Sequence, residues 1–131
     1  AGIVISNTGT GNDHAIARAL GGVCDVAHGV ATAIMLPPVL QFNALARPEK
    51  MSLIAEDFEL STAGGAQVTA RRVIEELQSL LVDLGVPTTL SEIGVTREVV
   101  PELVEVAIGN VGPNPRRTTK EDIERLILSV F

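Results

Sequence analysis

Between Gly65 and Leu84 the apolar residues Val73, Ile74, Leu77, Leu80, Leu81 and Leu84 alternate with Arg71, Arg72, Glu75, Glu76, Gln78 and Asp83. Spacings of three and four put the first set on one side of an amphipathic helix, which Gly85 caps and Pro87 follows. The same spacing recurs at Met51, Ile54, Ala55 and Phe58, in a helix from Glu49 to Leu60 with Pro48 at its start. It recurs again at Val99, Val100, Leu103, Val104 and Ala107, from Arg97 to Ile108, with Thr96 as cap and Pro101 in the first turn. Ile123, Leu126, Ile127 and Val130 mark a last helix, for which either Thr118 or Thr119 can be the N-cap, with Thr118 and Glu121 making the capping box. Thr88 to Val95 reads as a connector with a single turn at Ser91 to Ile93. The run Ala1 to Ser6 is too short to separate strand from helix by pattern. No alternating strand pair is found, so the expectation is an all-α, multi-helix domain of about six or seven helices covering residues 1–131.

The stretch from Asn12 to Phe42 carries the candidate chemistry, because it holds both histidines of the chain, His14 and His28. A helix capped by Asn12 or Asp13 should run to about Leu20 and stop at Gly21-Gly22. His28 should open a second helix that is apolar nearly all round, and Pro37-Pro38 should end or kink it before Val39 to Leu45 resumes. Two helices joined by a tight connection can bring both imidazoles to one point. Converging imidazoles are a plausible half of a transition-metal site, which takes three or four protein ligands. On residue pattern alone, a structural role as partly buried, hydrogen-bonded imidazoles has the stronger claim. The glycine-rich NTGTGND segment from Asn7 to Asp13 lacks the spacing of a phosphate loop.

Composition narrows the field further. The chain has 131 residues, enough for one core, and is 46% hydrophobic but only 2% aromatic, with three Phe and no Trp or Tyr. The net charge of −6 supplies no footprint for phosphate backbones, and there are no aromatic platforms for bases, which excludes nucleic acid as a partner. Gly29 to Leu40 is about twelve residues where a membrane span needs about twenty, so no membrane segment is expected. The single Cys24 has no disulfide partner within the chain and reads as a small buried filler. With no leader pattern ahead of the first helix, a cytoplasmic location is the default. The start at Ala1 fits a processed product or an excised piece of something longer. The paired arginines Arg71-Arg72 and Arg116-Arg117 read as solvated faces.

The run HAIARALGGVCDVAHGVATAIMLPPVLQFN resembles a signature region of the iron-containing alcohol dehydrogenases. GVTREVVPELVEVAIGN resembles that family's penultimate helix, and NPRRTTKEDIERLILSVF its closing turn and last helix. The resemblance implies the family's C-terminal helical domain, of dehydroquinate synthase-like fold, and favours a helix for AGIVISN. It implies His14 and His28 as ligands of Fe(II) or Zn, with the remaining ligands on an N-terminal nucleotide-binding domain or chain. It also implies hydride transfer between NAD or NADP and a small-molecule alcohol or aldehyde, with the metal as Lewis acid. The isolated chain is then expected to be inactive, and homo-oligomer formation stays open. Arg18 stands where many members carry another histidine, and Cys24 where an aromatic residue is common, so substrate and cofactor preference are left undecided. Arg18, one helical turn beyond His14, is the candidate contact for a cofactor phosphate or a substrate carboxylate. The alternative is a non-catalytic helical binding or assembly module that kept this fold.

Overall fold

The computed structural model describes residues 2–131, and residues 2 and 4 by their backbone alone. Among the described residues seven α-helices follow one another: α1 Gly2–Thr8, α2 Asn12–Cys24, α3 His28–Ala44, α4 Pro48–Asp57, α5 Ala66–Asp83, α6 Val100–Ile108 and α7 Lys120–Leu128. Short 3-10 turns at Ser91–Ile93 and Arg97–Val99 lead into α6, and no strand occurs among the described residues. AGIVISN is helical as expected from Gly2 onward, while Ala1 lies outside the described residues.

α2 is the central helix. Its Ala15, Ile16, Ala17, Ala19 and Leu20 are fully buried, and small side chains on two faces let α3 and α6 approach closely. α7 closes this core with Ile123, Leu126 and Ile127 against α6 and α3. α4 and α5 enclose a second, smaller cluster of Met51, Ala55, Ala70 and Val73, separate from the main core where one core was expected. α5 also packs along α3, but Leu80, Val82 and Leu84 at its far end stay exposed, so the predicted stripe is only partly covered. No helix among the described residues is long and apolar enough to cross a membrane.

Several boundaries and caps differ from those expected. Gly21 and Gly22 do not stop α2, which runs on to Cys24. The left-handed residue is Asp25 instead, with φ of 56°, a conformation that Asp tolerates better than most residues. Pro37 and Pro38 do not break α3 either. Ile34 and Met35 on one side and Val39 on the other are buried in the core, and that packing holds the helix through the missing N–H donors. The capping box lies one residue further on than predicted. Thr119 and Asp122 form it reciprocally, and Thr118 is engaged elsewhere. The N-cap of α2 is Gly11, with no side-chain cap, rather than Asn12 or Asp13. Thr96 likewise makes no cap bond, and its hydroxyl is directed to the Glu98 carboxylate.

Two of the four paired arginines are more than solvated. Arg72 donates to the Ser61 and Ala63 carbonyls at 2.8 and 2.6 Å, tying down the loop before α5. Arg116 stacks over the Phe42 ring at 4.0 Å.

Candidate metal centre

The first turns of α2 and α3 meet at one surface. The turn at Asp25 reverses the chain between the helices, and the Val26 N–H donates to the Leu20 carbonyl at 3.3 Å to close it. At the start of α3 the Thr32 hydroxyl lies 3.0 Å from both the His28 and Gly29 carbonyls, holding the turn that carries His28. At the start of α2, Asn12 is fully buried and pairs with Thr118: its Nδ2–H donates to Oγ1 at 2.9 Å, and its Oδ1 lies 3.1 Å from that hydroxyl. Asn114, in the same loop, donates from Nδ2 to Asn43 Oδ1 and to the Arg116 carbonyl, both at 2.8 Å.

The glycines of the 7–13 segment serve this packing and form no phosphate cradle. A Cβ on Gly11 would stand 2.9 Å from Asn114 Oδ1, and one on Gly112 would stand 2.6 Å from the Thr10 carbonyl. Two loops therefore touch backbone to backbone, and the contact fixes where α2 begins.

The His14 and His28 ring centroids are 5.2 Å apart with the planes inclined at 69°. The His14 side chain is 40% exposed and His28 is exposed, so the pair opens to solvent rather than into the helix cluster. Asp13 was expected only as a possible cap, yet its carboxylate lies beside the His14 ring and within electrostatic reach of His28. Its Oδ2 stands 3.4 Å from His14 Nδ1, and its Oδ1 is buried with no hydrogen-bond partner. Burial pushes the Asp13 carboxyl from 3.8 up to about 6, with the nearby His28 imidazole pulling partly the other way.

Arg18 is exposed, and its guanidinium donates to the Thr10 hydroxyl at 2.8 Å. Among the described residues no carboxylate lies within ion-pair distance of it. The Cys24 thiol is half-buried and free, and burial together with the Glu102 carboxylate pushes its pKa up, away from thiolate reactivity. Among the described residues no third His, Cys, Asp or Glu joins the histidines in a group that could hold a metal ion. A groove of about 650 Å³ between α3, α4 and α5, lined by Gln41, Leu45, Ala70, Arg71 and Ile74, contains neither histidine.

Comparison with known proteins interprets this arrangement. The C-terminal family model of the Fe-containing alcohol dehydrogenases matches residues 1–131. The chain belongs to that family. It is 36% identical to the 1,3-propanediol dehydrogenase of Citrobacter freundii, over 100% of the chain and 35% of that protein. It is 39% identical to the lactaldehyde reductase of Escherichia coli K12, over 96% of the chain and 34% of that protein. The solved alcohol dehydrogenase from Oenococcus oeni superposes on 99% of the chain and 35% of its own, with a TM-score of 0.91 and 33% identity. The chain thus spans about a third of the length of the alcohol dehydrogenases it matches.

The donor set can be tested against the metal that an Fe-containing alcohol dehydrogenase implies. Two imidazoles bound through ring nitrogens at about 2 Å, at a roughly tetrahedral angle, have centroids about 5 Å apart. The 5.2 Å of His14 and His28 fits that requirement. The Asp13 carboxylate beside His14, with its buried Oδ1 lacking a hydrogen-bond partner, adds negative charge that a cation would help offset.

Proposed function

We propose that this chain contributes His14 and His28 as two ligands for a divalent iron or zinc ion in an NAD- or NADP-linked alcohol dehydrogenase acting on a small alcohol and its aldehyde. The observation that supports it most is the meeting of the two rings, 5.2 Å apart at an open surface, in a chain of this family. Relatives differ in cofactor: the methanol dehydrogenase of Bacillus methanolicus is NAD-dependent and the butanol dehydrogenase of Clostridium saccharobutylicum NADPH-dependent. Either nicotinamide is therefore compatible with the fold.

When bound, the metal supplies Lewis acidity toward the alcohol or carbonyl oxygen. The chain's own part is positional. α2 and α3, locked by the core and by the Asn12–Thr118 and Asn114–Asn43 contacts, hold the two imidazoles at a fixed separation and inclination. Preset donors lose little freedom on taking up the ion. Arg18, on the same side of α2 as His14, offers an unneutralised guanidinium for a cofactor phosphate or a substrate carboxylate. The remaining ligands and the nucleotide site belong to an N-terminal domain or chain in this proposal. This chain alone then has no turnover.

The test joins the chain to the N-terminal two-thirds of the E. coli lactaldehyde reductase and follows oxidation of NADH and NADPH by small aldehydes. Activity should require the join, and His14→Ala with His28→Ala should remove both bound metal and activity while far-UV circular dichroism is unchanged. Arg18→Gln should raise KM for the cofactor or for an acidic substrate several-fold with kcat nearly constant. Turnover by the short chain, or undiminished metal and activity in the double variant, would instead favour the helical assembly module.

A further inference from the structure

We propose that Asp13 is a positioning residue for the imidazole pair: its carboxylate accepts from the Nδ1–H of His14 and so leaves Nε2 as the nitrogen that meets a cation. The inference rests on the metal-binding role given to His14 and His28 above, and deepens it.

Asp13 lies in the first turn of α2, where its charge suits the helix dipole, but among the described residues one of its oxygens has no hydrogen-bond partner. It does not cap α2, whose N-cap Gly11 has no side-chain bond, and Oδ1 is buried without a partner. A buried carboxylate oxygen left unsatisfied is costly and rare, and calls for a reason. Neighbouring residues on a helix do not normally face one another, so the approach of Oδ2 to His14 Nδ1, at 3.4 Å, is not a by-product of helical spacing. Among the described residues Asp13 completes no group of three donors with the histidines, so nothing in its placement makes it a third ligand.

The role that remains is orientation. Which ring nitrogen of a histidine carries the proton is decided by the partner the other nitrogen finds, and a carboxylate at Nδ1 both sets the tautomer and raises the basicity of the ligating nitrogen. At 3.4 Å the pair is an ion-pair contact and not yet a formed hydrogen bond, and functional hydrogen bonds are often long or poorly aligned until a site is loaded.

The experiment uses the 131-residue chain labelled with nitrogen-15. Two-bond proton–nitrogen spectra, at a pH where imidazole is neutral, should show His14 with its proton on Nδ1. Zinc titration should move both imidazoles, and Asp13→Asn should weaken that zinc binding by about 10- to 100-fold. A His14 proton on Nε2 in the unaltered chain, or zinc held as tightly by Asp13→Asn, would overturn the role of Asp13 while leaving the histidine pair standing. Zinc that moves neither ring would remove the metal-binding role itself. The tautomer, read without metal, tells the two failures apart and does not depend on the variant folding.

Discussion

Two helix starts in this molecule carry a largely buried aspartate, and they treat it in opposite ways. At the head of α7, Asp122 has both oxygens occupied: Oδ2 accepts from the Thr119 N–H at 3.1 Å and lies 3.2 Å from its hydroxyl, while Oδ1 faces Arg125. Burial alone would raise its carboxyl, but the Thr119 and Arg125 hydrogen bonds outweigh it and hold the carboxyl below the usual range. At the head of α2, Asp13 has no cap to make and one oxygen without a partner, and its carboxyl is pushed up to about 6. The first arrangement belongs to a helix that only has to be stable. The second is a local violation of polar satisfaction beside the two histidines, and violations of that kind gather where a chain has something to hold.

Asp13→Asn should have the largest effect on the stability of either helix start. A carboxyl raised from 3.8 to about 6 at about 1.4 kcal/mol per pH unit corresponds to about 3 kcal/mol of destabilisation once ionised. The folded chain binds this proton more tightly than the unfolded one, so stability falls as pH rises from about 4 to about 6, and the cost is complete above that range. Urea unfolding of the metal-free chain at neutral pH should therefore show Asp13→Asn more stable than the parent, with the gain shrinking toward pH 4. A destabilised variant would show that Asp13 is satisfied after all.

Asp122→Ala should move the other way, costing about 2 kcal/mol at neutral pH because the Thr119 N–H loses its acceptor. Its contribution is present above the ordinary carboxylate value of 3.8 and is lost as pH falls through the lower folded value, opposite in sign to Asp13. Thr119→Ala removes the other half of the box and should cost about 1 kcal/mol in the same unfolding experiment. Arg125→Ala should cost least, under about 1 kcal/mol and less in high salt, because that side chain is 73% exposed.

Most of the architecture could be read from apolar spacing. The helices through Met51, Val73, Leu103 and Ile123 follow that spacing, with Pro48 and Pro101 in first turns. What local rules missed was settled by packing. Gly21 and Gly22 satisfy the pattern of a helix stop, but burial of Ala19 and Leu20 against α3 and α6 carries α2 past them to Cys24. Pro37 and Pro38 sit between Ile34, Met35 and Val39, whose burial outweighs two missing backbone donors. Thr118–Glu121 and Thr119–Asp122 both match a capping box, and the choice between them turns on Asn12, 106 residues away, which occupies Thr118.

The site divides in the same way. Two histidines in helix-forming runs around a short turn stand out in the sequence, and the turn places their rings together. Asp13 does not stand out, because nothing in a one-dimensional pattern tells a capping aspartate from one turned inward against its neighbour.

The central claim is that His14 and His28 serve one cation. Crystals of the chain soaked in zinc and measured at the zinc edge test it most directly. One anomalous peak is expected at about 2.0–2.1 Å from a ring nitrogen of each histidine. A peak on one ring alone, or zinc only at other sites, would contradict it.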